Sequence, residues 1–209
     1  DINVNANALV SAANIMLQAD GNAVNFNGGS LTTTATNGKL DARGNNISIA
    51  GSEIDAAIIE TTATNDLVMS GGSISATDAT MTASQDITQI GGVITVTNAN
   101  LKATQNITQT AGSIVAANTT AEAGNTLSLA RITNKLQNVS VKAENGSVTI
   151  VSGNDEAGAL NVQTVGTVGG ALAITNKANG AKNIIKVNKN LKASGAVSIT
   201  NEEAAINVE

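Results

Sequence analysis

Residues 84–117 read SQDITQIGGVITVTNANLKATQNITQTAGSIVAA, and the second half of this stretch repeats the first. Ser84–Gln89 returns twenty residues later, with two substitutions, as Thr104–Gln109. A fixed period of this length is typical of repeat proteins, in which each unit buries its apolar side chains only against its neighbours. The repeat therefore indicates the fold class before any single element is assigned.

The same interval organises the chain on both sides of this stretch into columns of similar residues. One apolar column contains Ile47, Leu67, Ile87, Ile107 and Leu127, a second contains Ile54, Ile74, Ile94 and Ile114, and a third contains Ala63, Ala83, Ala103 and Ala123. Small residues separate the first two columns, and Asn, Asp or Gln pairs precede the first. Within each period apolar and polar residues alternate, which predicts short strands with one face inward.

Three short strands per period, separated by Gly, Asn and Asp corners, predict a triangular coil. Each strand of such a coil pairs with its equivalent in the next coil, about 4.8 Å away. We therefore predict an all-β fold, a right-handed parallel β-helix (triangular β-solenoid) of about ten coils of roughly 20 residues. We expect one domain over 1–209, with regular repeats in 42–130 and looser coils with insertions in 1–41 and 131–209. A leucine-rich repeat has a similar period, but its leucine ladder and asparagine plug are absent.

The inward column that starts at Ile49 contains two glutamines, Gln89 and Gln109. Buried amides must be hydrogen-bonded, and amides stacked in adjacent coils can satisfy one another. We interpret this pair as a structural ladder rather than a ligand site.

The amino-acid composition excludes most types of catalytic site. The chain has one Phe and no Trp, Tyr, Pro, Cys or His, and its net charge is −5. Catalytic triads and His or Cys metal sites are therefore impossible, and we predict a non-enzymatic protein without a cofactor. Asp66 and Asp86 should stack at the polar corner, where they are weak candidates for Ca²⁺ binding or for the carboxylates of a polysaccharide lyase. The simpler interpretation is a solvated corner in which Asn and Asp favour tight turns.

Charge is distributed unevenly along the chain. Residues 1–156 hold 13 acidic and 6 basic side chains, whereas residues 157–209 hold 3 and 5. The basic side chains of the second part are Lys177, Lys182, Lys186, Lys189 and Lys192. They form a candidate contact for an anionic glycan or for the acidic face of another subunit. The alternative is a set of solvated lysines that protect strand edges. No aromatic residue interleaves them, so we expect no nucleic-acid binding.

Two segments, LKATQNITQTAGSIVAA (101–117) and AEAGNTLSLA (121–130), resemble the twenty-residue haemagglutinin repeats of filamentous-haemagglutinin-type exoproteins. That family includes two-partner-secretion adhesins and the stalks of contact-dependent inhibition toxins. The resemblance is clear over 42–150 and looser over the whole chain. It implies export from a Gram-negative bacterium, a secreted or cell-surface location and a shaft role. The family's secretion domain usually carries Asn-Pro motifs, and this sequence has no proline.

Both ends of the sequence alternate like strands, and no capping element is evident. We expect either a slice of a longer stalk or a subunit whose ends pair with further copies. No apolar run approaches 18 residues, so we expect no membrane insertion. The sequence thus predicts an extracellular structural shaft segment, with a glycan or receptor on a host or bacterial surface as its partner. The alternatives are an end-to-end filament subunit and a carbohydrate-binding or carbohydrate-cleaving β-helix.

Overall fold

A computed structural model describes residues 1–153, 159–177, 184–187, 191–202 and 205–208, and it has no helix among these residues. Twenty strands account for most of them. The strands are β1 (Ile2–Val4), β2 (Leu9–Ala12), β3 (Ile15–Ala19), β4 (Val24–Phe26), β5 (Ser30–Thr33), β6 (Lys39–Gly44), β7 (Ile47–Ile49), β8 (Glu53–Ala63), β9 (Leu67–Met69), β10 (Ser73–Ala83), β11 (Ile87–Ala103), β12 (Ile107–Ala123), β13 (Leu127–Ala130), β14 (Lys135–Ala143), β15 (Val148–Ser152), β16 (Leu160–Val168), β17 (Leu172–Asn176), β18 (Ile185–Val187), β19 (Val197–Asn201) and β20 (Ile206–Val208).

The strands form three parallel ladders, which are the three faces of a coil. The first face stacks β1, β4, β7, β9, the starts of β11 and β12, then β13, β15, β17 and β19. The second face runs from β2 and β5 through β8, β10, β11 and β12 to the start of β14. The third face runs from β3 and β6 through the second halves of β8, β10, β11 and β12, then β14, β16, β18 and β20. The predicted β-solenoid of about ten coils is confirmed.

The strand register reports the length of each coil. Along the first face, Ile47 pairs with Leu67, and each later partner follows at twenty residues as far as Leu127. Before this region the offsets are 22 residues (Ile2 to Val24) and 23 (Val24 to Ile47). After it they are 21, 24 and 25, ending at Val197. Extra residues are accommodated between strands, so the first ladder is unbroken.

Inward side chains from all three faces form one thin aliphatic core that extends from Val4 to Val187. The three apolar columns found in the sequence are all buried. Phe26, the one aromatic residue, is also fully buried. Small side chains suffice because each coil contacts the coils above and below it, and the buried area accumulates along the axis.

The corner between the first and second faces requires glycine. Gly72, Gly92 and Gly112 occupy equivalent positions there with φ values of 74°, 72° and 76°. This left-handed conformation is costly for residues with a Cβ atom. A Cβ at Gly112 would also lie 2.5 Å from the carbonyl oxygen of Gly92 in the preceding coil. The glycine column therefore sets the sharp turn and the close approach of successive coils.

The core residue Thr119 has a hydroxyl group, whereas the residues stacked on it in the adjacent coils have apolar side chains. Thr119 pairs with Ala99 and Val139 in an inward column and is 2% exposed. Its Oγ1 has no hydrogen-bond partner among the described residues. An unsatisfied buried hydroxyl destabilises the folded state.

We therefore expect Thr119→Val, which keeps the side-chain shape, to raise the free energy of unfolding by about 1–3 kcal/mol. Urea unfolding followed by circular dichroism measures the change. The matched control is Thr120→Val at the adjacent exposed position, for which we expect little effect. A loss of stability in Thr119→Val would show that the hydroxyl group is satisfied.

Candidate functional site

The two glutamines predicted to form a ladder are buried and hydrogen-bonded to each other. Gln109 Nε2 donates to Gln89 Oε1 at 3.0 Å. Gln89 Nε2 donates to the carbonyl oxygens of Gly92 and Ser113, at 3.3 and 3.2 Å. The Gln109 amide also pairs in both directions with Asn134, through Nε2 to Oδ1 (2.8 Å) and through Oε1 from Nδ2 (2.7 Å). The amides satisfy one another inside an apolar core.

Asn134, which the sequence reasoning missed, is fully buried at the centre of this network. Its Oδ1 accepts from the backbone N–H of Ile114 at 2.9 Å. The second-face ladder is interrupted here, because residues 132 and 133 form a turn rather than a strand. The Asn134 side chain thus replaces a missing ladder bond. The signal was available, since the column Ile54 to Ile114 reaches Asn134 at the next twenty-residue step.

The network ends at Ser152, which is also fully buried. Ser152 Oγ donates to the carbonyl oxygen of Asn134 at 3.2 Å and accepts from the backbone N–H of Leu136 at 3.0 Å. A buried polar network of this kind is stable only in the register that satisfies its members. Its geometry favours a role in coil register rather than in chemistry.

Asp66 and Asp86, the candidate Ca²⁺ ligands, lie in adjacent coils at the polar corner before the first face. Asp66 Oδ1 accepts from the backbone N–H of Asp86 at 3.1 Å, and Asp86 Oδ1 accepts from that of Asn106 at 2.9 Å. Asn46 and Asn106 make the same bond to the next coil. Within the described parts of the chain, no three His, Cys, Asp or Glu side chains are grouped closely enough to hold a metal ion. The corner thus uses its side-chain oxygens to cap backbone N–H groups of the next coil.

The candidate lysine contact is only partly described, since Lys182 and Lys189 lie outside the described residues. Lys177 follows β17 of the first face, and its Nζ lies 2.9 Å from Glu202 Oε1. Lys186 is the middle residue of β18, on the third face. Lys192 is exposed and lies beside the end of β16, also on the third face. The structure therefore distributes these three lysines over two faces.

A second ladder that the sequence reasoning missed runs along the outside of the third face. It consists of Asp78, Asn98, Asn118, Asn138 and Asn161, one residue per coil. Each asparagine Nδ2 donates to the Oδ1 of the preceding residue, at 2.6, 2.8, 3.0 and 3.0 Å in chain order. The twenty-residue spacing of the first three asparagines was its signal in the sequence. Stacked amides of this type reinforce the backbone ladder.

Three shallow depressions lie one behind another along the last outward column of the third face. The register places Arg43, Lys102, Glu122 and Lys142 in this column. The volumes of the depressions are about 180, 220 and 330 Å³ in chain order. In the middle one, Lys102 lies 3.8 Å from Glu122, and Lys142 pairs with Glu144. The walls of this depression therefore alternate in charge, and they do not form a basic groove.

A compact ion cluster lies near the start of the third face. Arg43 donates to both oxygens of Asp41, at 2.9 Å from Nε and 2.8 Å from Nη2. Lys39 Nζ lies 2.6 Å from Glu60 and 3.3 Å from Asp41. The Arg43 hydrogen bonds, helped by Lys39, lower the pKa of Asp41 against the opposing effect of its burial. The cluster joins β6 to β8 in the next coil.

The sign of the Asp41 shift predicts how stability depends on pH. Because the folded pKa lies below the unfolded value of 3.8, the carboxylate stabilises the fold above that pH. This contribution is lost as the pH falls through the folded pKa. We expect the stability difference between the wild type and Asp41→Asn to be constant near neutral pH and to shrink below about pH 4. Urea unfolding at a series of pH values measures it, with the exposed Asp55→Asn as control; equal pH profiles for both variants would contradict this assignment.

No protein-family model, no curated protein and no solved structure matches this chain. No helix in the described residues is long and apolar enough to cross a membrane.

Proposed function

We propose that this chain is an extracellular structural shaft segment of a bacterial surface adhesin or exoprotein, and that it is not an enzyme. The observation that carries the proposal is the first face, where ten strands pair without interruption from β1 to β19. The resemblance of 42–150 to filamentous-haemagglutinin repeats supports the secreted or cell-surface location in a Gram-negative bacterium. A glycan or receptor on an opposing surface is the partner class we propose for such a shaft.

The mechanism of a shaft is mechanical. Hydrogen bonds between parallel strands are evenly spaced and slanted, and each joins a strand to its neighbour in the sheet. In a solenoid the neighbouring strand belongs to the next coil, so these bonds link the coils along the rod axis. Each coil joins the next through backbone bonds on up to three faces at once. At about 4.8 Å per coil, the ten coils span roughly 45–50 Å. A rod of this construction holds its two ends at a fixed separation.

The polar groups of the described residues support a structural role over a catalytic one. The buried amides bond to one another. The carboxylates of Asp66 and Asp86 cap backbone groups of the next coil. The Asp41 carboxylate pairs with Arg43 within β6, and the Glu60 carboxylate pairs with Lys39 of the preceding coil. The sequence supplies no His or Cys nucleophile or base.

The absence of cysteine permits a direct test with paired spin labels. Asn3 and Ser198 occupy the outward column of the first face, nine coil steps apart. Labels at Asn3→Cys and Ser198→Cys should show a narrow distance distribution centred near 43 Å, which is nine steps of about 4.8 Å. Labels at Ser48→Cys and Ser128→Cys, four steps apart, should give about 19 Å. A broad long-range distribution beside a narrow short-range one would contradict the stiff shaft.

A second candidate function, end-to-end filament assembly, is favoured by the apolar residues exposed in the last coil. Val197, Ile206 and Val208 continue inward columns of the first and third faces, and they are 48%, 41% and 74% exposed. Exposed apolar strand edges are templates for further pairing, and unlike edges that pair head to tail form open filaments. Electron microscopy over a concentration series would show fibres, and Val208→Lys should suppress them. Discrete rods at all concentrations would exclude the filament.

A further inference from the structure

Three Asn-Gly pairs lie in the described part of the chain, at Asn27, Asn37 and Asn145, and a fourth, Asn179-Gly180, lies outside it. An Asn-Gly pair can rearrange without an enzyme, because the glycine nitrogen is little hindered and can attack the asparagine side-chain amide. All three pairs have the same two residues and an exposed asparagine. A difference in their reactivity must therefore come from the local sequence that follows or from the fold.

The three pairs differ in the hydrogen bonding of the glycine nitrogen, which is the nucleophile. Gly28 N donates to Ser52 Oγ at 3.1 Å, and Gly28 is buried. Gly38 N donates to Ala35 O at 2.8 Å, which closes a turn, and Gly38 is also buried. Gly146 is half-buried, and its N–H makes no hydrogen bond to the described residues.

We propose that Asn145 is a site of spontaneous deamidation and isoaspartate formation, and that the fold protects Asn27 and Asn37 from the same reaction. The deprotonated nitrogen of Gly146 attacks Cγ of Asn145, and the Cγ–Nδ2 bond breaks with release of ammonia. The resulting five-membered succinimide is opened by water at either carbonyl carbon. Opening at the main-chain carbonyl yields isoaspartate, and opening at the other yields aspartate. No oxidant or reductant is required.

The surroundings of Asn145 indicate what the modification does. Asn145 Nδ2 donates to the carbonyl oxygen of Gly124 in the preceding coil at 3.0 Å, beside the bond of the Asn145 backbone N–H to the same oxygen at 2.9 Å. A carboxylate cannot donate the side-chain bond, and it adds a negative charge beside Glu144, which pairs with Lys142. Isoaspartate also lengthens the main chain by one carbon where Gly146 stacks closely on Asn125. The reaction should therefore loosen the corner between the third and first faces in this coil.

The test is to incubate the intact folded protein in mildly alkaline buffer and to quantify deamidated and isoaspartyl peptides by mass spectrometry at each site. Breaking the glycine hydrogen bond opposes reaction by about 0.5–1.5 kcal/mol, so Asn27 and Asn37 should react roughly 2- to 12-fold more slowly than Asn145. In urea the rates at the three sites should converge. The variant Asn145→Gln should lack the major acidic species that ion-exchange chromatography separates from the incubated wild type. Amide hydrogen exchange at residues 124–126 should increase during incubation in the wild type and should stay unchanged in Asn145→Gln.

The comparison within one folded protein makes the outcome decisive. Reaction at Asn27 or Asn37 as fast as at Asn145 in the folded protein would overturn the proposal. Protection of Asn27 and Asn37 by the fold would also be excluded if the faster reaction of Asn145 persisted unchanged in urea, because the difference would then arise from local sequence. These outcomes are independent of the shaft function, since they require only the described fold.

Discussion

Deleting residues 67–86 should yield a folded rod that is one coil shorter, whereas deleting residues 67–76 should break the stack. The longer deletion joins Asp66 to Ile87, and every later residue then falls into the column it already occupied. Ile47 would pair with Ile87, and Ala63 with Ala103, in place of their present partners one coil away. Asp66 would occupy the place of Asp86 and could cap the N–H of Asn106 as Asp86 does now.

The shorter deletion leaves only residues 77–86 between two complete coils. Ten residues cannot form the three strands and three corners that a coil requires, so the ladders cannot pass through this point. We expect a destabilisation of at least about 5 kcal/mol, comparable with the whole stability of a small domain. Urea unfolding should show one cooperative transition for the twenty-residue deletion and a split or absent transition for the ten-residue deletion. Spin labels at positions 3 and 198 should also approach by about 4.8 Å in the longer deletion. Equal behaviour of the two variants would contradict the register.

Replacing Asn134 by leucine should be the most damaging single substitution in the core network. Leucine has a similar size but leaves the Ile114 N–H and the Gln109 amide without their Asn134 partners. An unsatisfied buried polar group costs about 1–3 kcal/mol, so two such groups predict a loss of about 2–6 kcal/mol in the free energy of unfolding. Thermal and urea unfolding measure the loss.

The control for this substitution is Asn118→Leu in the external asparagine ladder. Asn118 is exposed, so water can satisfy the partners it leaves, and we expect a loss below about 1 kcal/mol. A similar loss in the two variants would mean that the Asn134 network contributes no more than a surface ladder. The triple variant Gln89→Met, Gln109→Leu, Asn134→Ile supplies a second control. It removes the network amides together and should recover part of the loss, because paired polar groups can be replaced jointly at low cost.

Most of the fold could be predicted from the sequence because equivalent residues pair with one another. The columns Ile47 to Leu127 and Ile54 to Ile114 were visible as a period, and stacking coils turned each column into a line of contacts. The pairing of Gln89 with Gln109 followed from the same rule. The twenty-residue spacing of Asn98, Asn118 and Asn138 follows the same rule, so their ladder could have been predicted from the sequence.

The sites were less predictable, because their partners are separated by irregular offsets or lie on different faces. Asn134 contacts Gln109 at an offset of 25 residues, across a turn that replaces a strand. Lys177 and Lys186 are nine residues apart in the sequence but belong to different faces. On a solenoid, two residues about seven positions apart in the sequence lie on different faces. Like charges that are clustered in the sequence therefore do not form one patch on the surface.

The sequence by itself determined the coil period, the inward columns and the glycine corner, because these depend on interactions that repeat identically from coil to coil. Only the tertiary structure decided which polar groups are satisfied, how the described lysines are distributed and which of the three described Asn-Gly pairs has a glycine N–H without a hydrogen bond. Those properties depend on single contacts at positions where the repeat is broken. The repeat period of the sequence does not show which contacts form at the positions that depart from it.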